Sequence, residues 1–221
     1  MANTLGNPTL GFQAFGRIEG GSPTAGLTPV WIASTDASQM FRGDTVVSSS
    51  TGGTNNSGNY ITAAASGISL IRGVFMGCEQ FQPAAGRVVW SNSYTGSVTG
   101  STGDVRAYIV DDPDQLFLIQ GSTSAAITSS FINLNAGNTV TSSLGNTTTG
   151  YSNATLLSST VGSTNTLPWR IVDFYSAYAP PGVPAIGTAA FINGTDNTTA
   201  ANMVLVRLNN CDRNNLTARS S

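Results

Sequence analysis

The apolar residues of this chain come in short runs, and Gly, Pro, Asn, Asp or Ser closes almost every one. TPVWIAS, MFRGDTVV and NYITAAA are the first, each a β-type run bounded by turn residues. GISLIRGVFMGCEQF is the most apolar stretch, with Leu70, Ile71, Val74, Phe75 and Met76. GRVVW follows a Pro-Ala-Ala-Gly turn, and VRAYIVDD and QLFLIQG flank Asp-Pro-Asp. That spacing predicts two strands joined by a tight turn, with Asp and Pro supplying the turn chemistry. AAITSSFINL, LPWRIVDFYSA and NMVLVRLNN complete the set, and in the last Val204, Val206 and Leu208 alternate with other positions. No window places apolar residues at helical spacing between caps, so no helix of length is expected. About ten candidate strands predict an all-β protein, a single β-barrel or sandwich domain.

Composition narrows what such a domain can do. Charged residues make up 9% of the 221 residues, against roughly 25% in an ordinary soluble domain. Ser, Thr, Asn, Gly and Gln must cover the surface instead. All nine basic residues are arginine, and histidine is absent. A surface without lysine lacks the flexible, strongly hydrated charge that guards sheet edges, and it tolerates burial against neighbours. Compositional drift in a GC-rich genome would leave the same mark. The net charge is −2 with no basic stripe, which argues against nucleic-acid binding. The N-terminus has no signal-peptide pattern and no apolar run reaches the ~20 residues of a membrane helix. The expectation is a protein made and assembled in a cytoplasm, with no membrane partner.

Residues 1–25 read as an extended N-terminal arm. Gly and Pro recur every few residues, and the apolar anchors Leu5, Leu10, Phe12, Phe15 and Ile18 follow neither strand nor helix spacing. Fully extended, such a segment spans up to roughly 80 Å. A loop packed on its own domain is the plainer reading. The β domain is expected over residues 26–210, interrupted by Pro180, Pro181 and Pro184, and residues 211–221 form a polar tail.

Candidate chemistry is sparse. Without His or Lys the usual triads, the commonest metal ligand and amine chemistry all fall away. Asp104, Asp111, Asp112 and Asp114 are the remaining cluster. Paired carboxylates could serve a glycosidase, or Asp111, Asp112 and Asp114 a calcium ion, although the EF-hand spacing is missing. Turn chemistry explains the same residues more simply. No cofactor is expected. Arg42-Gly43-Asp44 spells a cell-adhesion tripeptide, but Gly-Asp is also a good turn. The sequons at Asn146, Asn153, Asn193, Asn197 and Asn215 reflect composition. Cys78 and Cys211 are too few for a disulfide framework or a zinc site and read as two buried thiols, with a bridge between them left open. Trp31, Trp90 and Trp169 sit in apolar runs and are expected in the core. Interface anchoring is the alternative, above all for Trp169 and Arg170.

The ordered set of blocks resembles a family. ANTLGNPTLGFQAFGRIEGGSP and PVWIASTDASQMFRGDTVV, then VRAYIVDDPDQLFLIQ, GYSNATLLSS, LPWRIVDFYS and VLVRLNN, are similar to small virion proteins of tailed bacteriophages encoded beside the major capsid protein. The resemblance spans nearly the whole chain. It implies a head decoration, or cement, protein on the capsid exterior that bridges major capsid protein subunits. It also implies copies bound to one another, as a trimer by preference or a dimer, and no catalytic residues. On that reading Phe12, Phe15 and Arg17 anchor the arm, and Trp169 and Arg170 make capsid or subunit contacts. The rival reading is a tail or fibre protein binding a host receptor or glycan, although no repeat of fixed period supports a long fibre.

Overall fold

The computed structural model describes residues 10–20, 26–50, 52–53, 58–65, 70–82, 86–96, 103–139, 145–175 and 199–214. Their strands in chain order are β1 (Gln13–Arg17), β2 (Thr28–Ile32), β3 (Met40–Phe41), β4 (Thr45–Ser49), β5 (Tyr60–Ala63) and β6 (Gly73–Gln82). Then come β7 (Arg87–Ser91), β8 (Ser93–Tyr94), β9 (Val105–Val110), β10 (Gln115–Gln120) and β11 (Asn135–Asn138). The set ends with β12 (Gly145–Asn146), β13 (Tyr151–Ser152), β14 (Leu156–Gly162), β15 (Trp169–Phe174) and β16 (Met203–Leu208). A 3-10 turn at Ser129–Phe131 is the only helical piece among the described residues. The chain is all-β, as its runs imply.

Five strands close into a barrel in the order β4-β5-β2-β9-β6, and pairing of β6 with β4 shuts the ring. Strand β7 hangs on β6 outside that ring. A second sheet, β1-β10-β16-β15-β11-β14, lies against the barrel. Strand β6 explains the arrangement. Its first six residues are all buried, because both of its faces are covered. Phe75 and Cys78 point into the barrel with Val30, Ile32, Val46 and Ile109. Val74 and Met76 point outward and join Phe117, Ile119, Trp169, Ile171 and Val206 of the second sheet. The spacing of three between Phe75 and Cys78 breaks strict alternation, and a register shift against β9 between Phe75 and Gly77 supplies the extra residue.

The turn expected between VRAYIVDD and QLFLIQG is present, but the two strands do not pair. β9 pairs with β2 and β6, whereas β10 pairs with β1 and β16. The Asp-Pro-Asp segment is a corner between two sheets and not a hairpin. Asp112 builds it locally: its Oδ1 accepts the Asp114 amide at 3.0 Å and its carbonyl accepts the Gln115 amide at 3.1 Å. Such a turn dictates the reversal without dictating the partner.

Residues 10–20 are not a free arm. β1 pairs with β10 along the edge of the second sheet, and Phe12 is completely buried. Its ring stacks on Trp169 at 4.0 Å and 15°, and Phe117 meets both rings edge-on. The Phe12 amide also donates to the Gly43 carbonyl of the barrel side at 3.0 Å. Gly11 makes that approach possible. Its φ is +63°, and a Cβ there would lie 2.6 Å from the Gly43 carbonyl oxygen. Residues 1–9 and 21–25 of the expected arm lie outside the described residues, as do Pro180, Pro181 and Pro184. The expected tail also begins later than its composition suggests. Cys211 is buried and bridges Ile71, and the Asp212 amide donates to the Ile71 carbonyl at 3.1 Å. Residues 215–221 lie outside the described set.

Burying the Phe12 ring between Trp169 and Phe117 makes it part of the core. Phe12→Ala should lower stability by about 3–5 kcal/mol, read as a shift of the denaturant midpoint. A variant as stable as the parent would mean that this stack contributes nothing.

Candidate functional site

The five residues expected at contacts are divided by the fold. Phe12 and Trp169 stack on each other in the core, so neither presents a surface to a partner. Apolar area drives both inside, and the Trp169 indole satisfies its one polar group internally by donating to Asn138 Oδ1 at 2.9 Å. Phe15 and Arg17 remain outside on β1, an edge strand. Phe15 is 45% exposed and touches only the edge of Tyr175 among described aromatic rings. Arg17 pairs with Asp112 at 3.2 Å. Arg170 is half-buried on β15, where its Nε donates to Asn135 Oδ1 at 3.2 Å. It sits directly opposite Arg207 of β16, and neither arginine forms an ion pair with a described residue. Like charges facing each other across strands cost stability, a cost an acidic partner would relieve.

The carboxylates do structural work. Asp111 is 2% exposed at the corner between the sheets. It holds Arg72 at 3.2 Å, Arg213 at 3.1 Å and the Thr28 hydroxyl at 2.7 Å. These bonds tie the barrel, the loop before β6 and the C-terminal segment together. An open cleft of about 410 Å³ runs beside them, lined by Arg17, Leu27, Thr28, Asp112 and Arg213. Asp104 accepts the Ser34 amide at 3.0 Å and the Tyr60 hydroxyl at 2.7 Å. Among the described residues no group of three or more Asp, Glu, Cys or His could hold a metal ion, which leaves Asp111, Asp112 and Asp114 without a calcium geometry.

Three smaller features also resolve. Cys78 and Cys211 are both buried, unbridged thiols, one inside the barrel cluster and one in the cluster between barrel and sheet. Burial pushes the Cys78 thiol up to about 11. Asn146 closes its own turn, accepting the Thr148 amide at 2.9 Å and the Thr149 amide at 3.1 Å. Asn193, Asn197 and Asn215 lie outside the described residues. In Arg42-Gly43-Asp44 the aspartate is buried, with its carboxylate accepting the Ser152 hydroxyl and the Phe41 amide. That tripeptide is not displayed.

The surface the sequence concealed lies on the β6–β7 hairpin. Phe81, Val88 and Trp90 are 44%, 60% and 49% exposed. The register explains why they share a face: Phe81 is opposite Val88, and Glu79 is opposite Trp90. The face continues across β9, where Tyr108 packs its ring 5.4 Å from Trp90 and donates to Glu79 Oε1 at 2.7 Å. The Arg106 guanidinium lies over the Tyr108 ring at 5.4 Å. Trp90 is held flat because its neighbour is Gly77. A Cβ at Gly77 would lie 2.4 Å from Trp90 Cζ2, and the glycine has φ +139°. The indole N–H donates to Asn92 Oδ1 at 3.3 Å. A large aromatic, positioned by three neighbours and still half outside, matches the anchors that dominate protein interfaces. The signal was present in RVVWS, an apolar run on a short strand between turns. Such a run fits a core strand equally well, and the apolar run by itself places Trp90 in the core.

Asp44 gives this structure a pH dependence. Burial raises its carboxyl from 3.8 to about 6, against the lowering effect of the Ser152 and Phe41 hydrogen bonds. A carboxyl raised on folding contributes stability that is fully present below its unfolded value and is lost as pH rises through its folded value. Asp44→Asn lacks this titration. Relative to it, the parent should lose on the order of 3 kcal/mol between about pH 4 and pH 7, measured by denaturation at several pH values. A stability difference independent of pH would contradict the assignment. The chain matches no protein-family model, no curated protein and no solved structure.

Proposed function

We propose that this protein is a non-enzymatic virion component, a decoration protein that binds the outside of a bacteriophage head and bridges major capsid protein subunits. The resemblance of its ordered sequence blocks supplies the identity of the partner. One observation supports the mode of action: large apolar side chains stand exposed on edge strands of a rigid β body that carries little charge. Phe15 on β1 and the Phe81–Val88–Trp90 face of the β6–β7 hairpin, which ends at edge strand β7, occupy separate edges of separate sheets. A clamp needs two such edges, one for each neighbour it joins. The half-buried Arg170–Arg207 pair adds a cationic position suited to a carboxylate on the shell. Individually weak contacts become strong when many copies engage one lattice.

On this reading β1 contributes through its surface, while the Phe12 ring just before it stays inside. The shell-binding residues are then Phe15, Arg17 and Arg170, without Phe12 and Trp169. Removing the whole first segment would unpick the core, so point substitutions are the fitting test. Phe15→Asp with Arg17→Ala should weaken binding to expanded heads about tenfold or more, a loss of about 1.4 kcal/mol, while the circular dichroism spectrum stays unchanged. Co-sedimentation with heads lacking the protein measures it. Undiminished decoration by the double variant would remove β1 from the contact.

A second reading, a tail or fibre protein binding a host glycan, draws on the Trp90–Tyr108 platform with Glu79 and Arg106 beside it. Particle stoichiometry separates the two. A copy number comparable with that of the major capsid protein fits decoration, and a number matching the tail fits the rival.

A further inference from the structure

From the β7 edge we infer that two copies of this chain join through β7, pairing antiparallel about a two-fold axis at Val89 to run one sheet across both molecules. The inference stands apart from the capsid reading, because it concerns the isolated protein.

Strand β7 ends its sheet. Among the described residues it pairs with β6 alone, so its outer backbone groups have no strand partner. Natural sheets guard such edges with lysine, proline, bulges or inward charges. This edge has none of these along its middle. Arg87 sits at its first position, and Val88, Val89 and Trp90 follow. An unguarded edge with a large apolar face is a template for strand addition.

The choice of a second copy comes from self-complementarity. With Val89 opposite its own counterpart, Val88 of one copy faces Trp90 of the other, a β-branched residue against an aromatic, which is a favourable cross-strand pair. Arg87 faces the uncharged Ser91, so no like charges meet. On the outward face the known β6 and β9 registers then extend the row. Phe81 and Val88 of one copy would continue into Trp90, Glu79 and Arg106 of its mate, and the two-fold axis repeats the row in reverse. Each apolar pair of one molecule therefore ends on the aromatic anchor of the other. Trp90 is already fixed over Gly77 and against Tyr108, so little side-chain freedom is lost on pairing.

The contact is small. Three exposed side chains and one short strand fall below the roughly 800 Å² per partner of a standard stable interface. The dimer should therefore be reversible and concentration-dependent in solution, and strengthened where many copies are held close together. A two-fold contact of this kind makes a dimer and not a trimer.

The test uses the full chain in two experiments. Sedimentation across a concentration series should show reversible conversion to twice the single-chain mass, and Val88→Asp, at an exposed site, should abolish it without changing the melting temperature. Val89→Cys should cross-link into a covalent dimer under mild oxidation, while Arg87→Cys should cross-link far less. Cys78 and Cys211 are buried and should give little background. A parent that stays monomeric at its highest soluble concentration, with no cross-link at Val89→Cys, would overturn the inference. So would self-association that Val88→Asp leaves intact, or loss of association with no cross-link at position 89. A monomer that binds a glycan array through Trp90 would assign the same face to a different occupant and overturn it as well.

Discussion

Everything in this fold depends on β6 being buried on both faces. One face completes the barrel interior and the other forms the floor on which the second sheet lies. A strand in this position cannot alternate polar and apolar residues, and GVFMGC does not. The bulge at Gly77 then turns the strand outward, and from Glu79 onward the hairpin leaves the body. The same strand therefore builds the core at one end and displays an aromatic surface at the other.

Scarcity of charge shapes how the two halves are joined. Where other proteins would lay ion pairs across such a junction, this one relies mostly on amides and hydroxyls. Asn138 accepts from the Trp169 indole and donates to the Thr45 hydroxyl on β4, linking second sheet to barrel through one side chain. Asn202, wholly buried, both donates to and accepts from the backbone of Ile127. Asp111 departs from that pattern as a buried carboxylate with two arginines. It sits at the corner where the chain leaves one sheet for the other. Buried charge is costly unless fully partnered, and here Thr28, Arg72 and Arg213 share that task. Satisfied neutral groups inside and few charges outside leave the edge strands as the positions where the protein can meet neighbours.

Much of the candidate surface was hidden from sequence reading for one reason. The aromatics there look like the aromatics in the core. Trp90 in RVVWS and Trp169 in LPWRIVDF both lie in apolar runs; the core expectation holds for Trp169 and fails for Trp90, and the anchor alternative points to the wrong one of the two. The difference is made by partners far along the chain. Trp169 is covered by Phe12, contributed from the opposite end of the sequence, whereas Trp90 meets Tyr108 and Gly77 on one side only. Phe15 is exposed and Arg17 partly so on β1, a segment that is paired to β10.

Local sequence by itself determined the all-β class, the positions of most strands, the Asp112 turn and the burial of both thiols. Each follows from short-range alternation, turn propensity or the plain apolarity of a side chain. Only the tertiary structure decided that β9 and β10 belong to different sheets, that Gln13–Arg17 form a strand, and which tryptophan faces outward. Alternation says which side chains share a face of a strand; it does not say what will cover that face. Covering is a contest among all apolar surfaces of the chain at once, and contacts such as Phe12 on Trp169 leave no trace in either neighbourhood taken alone.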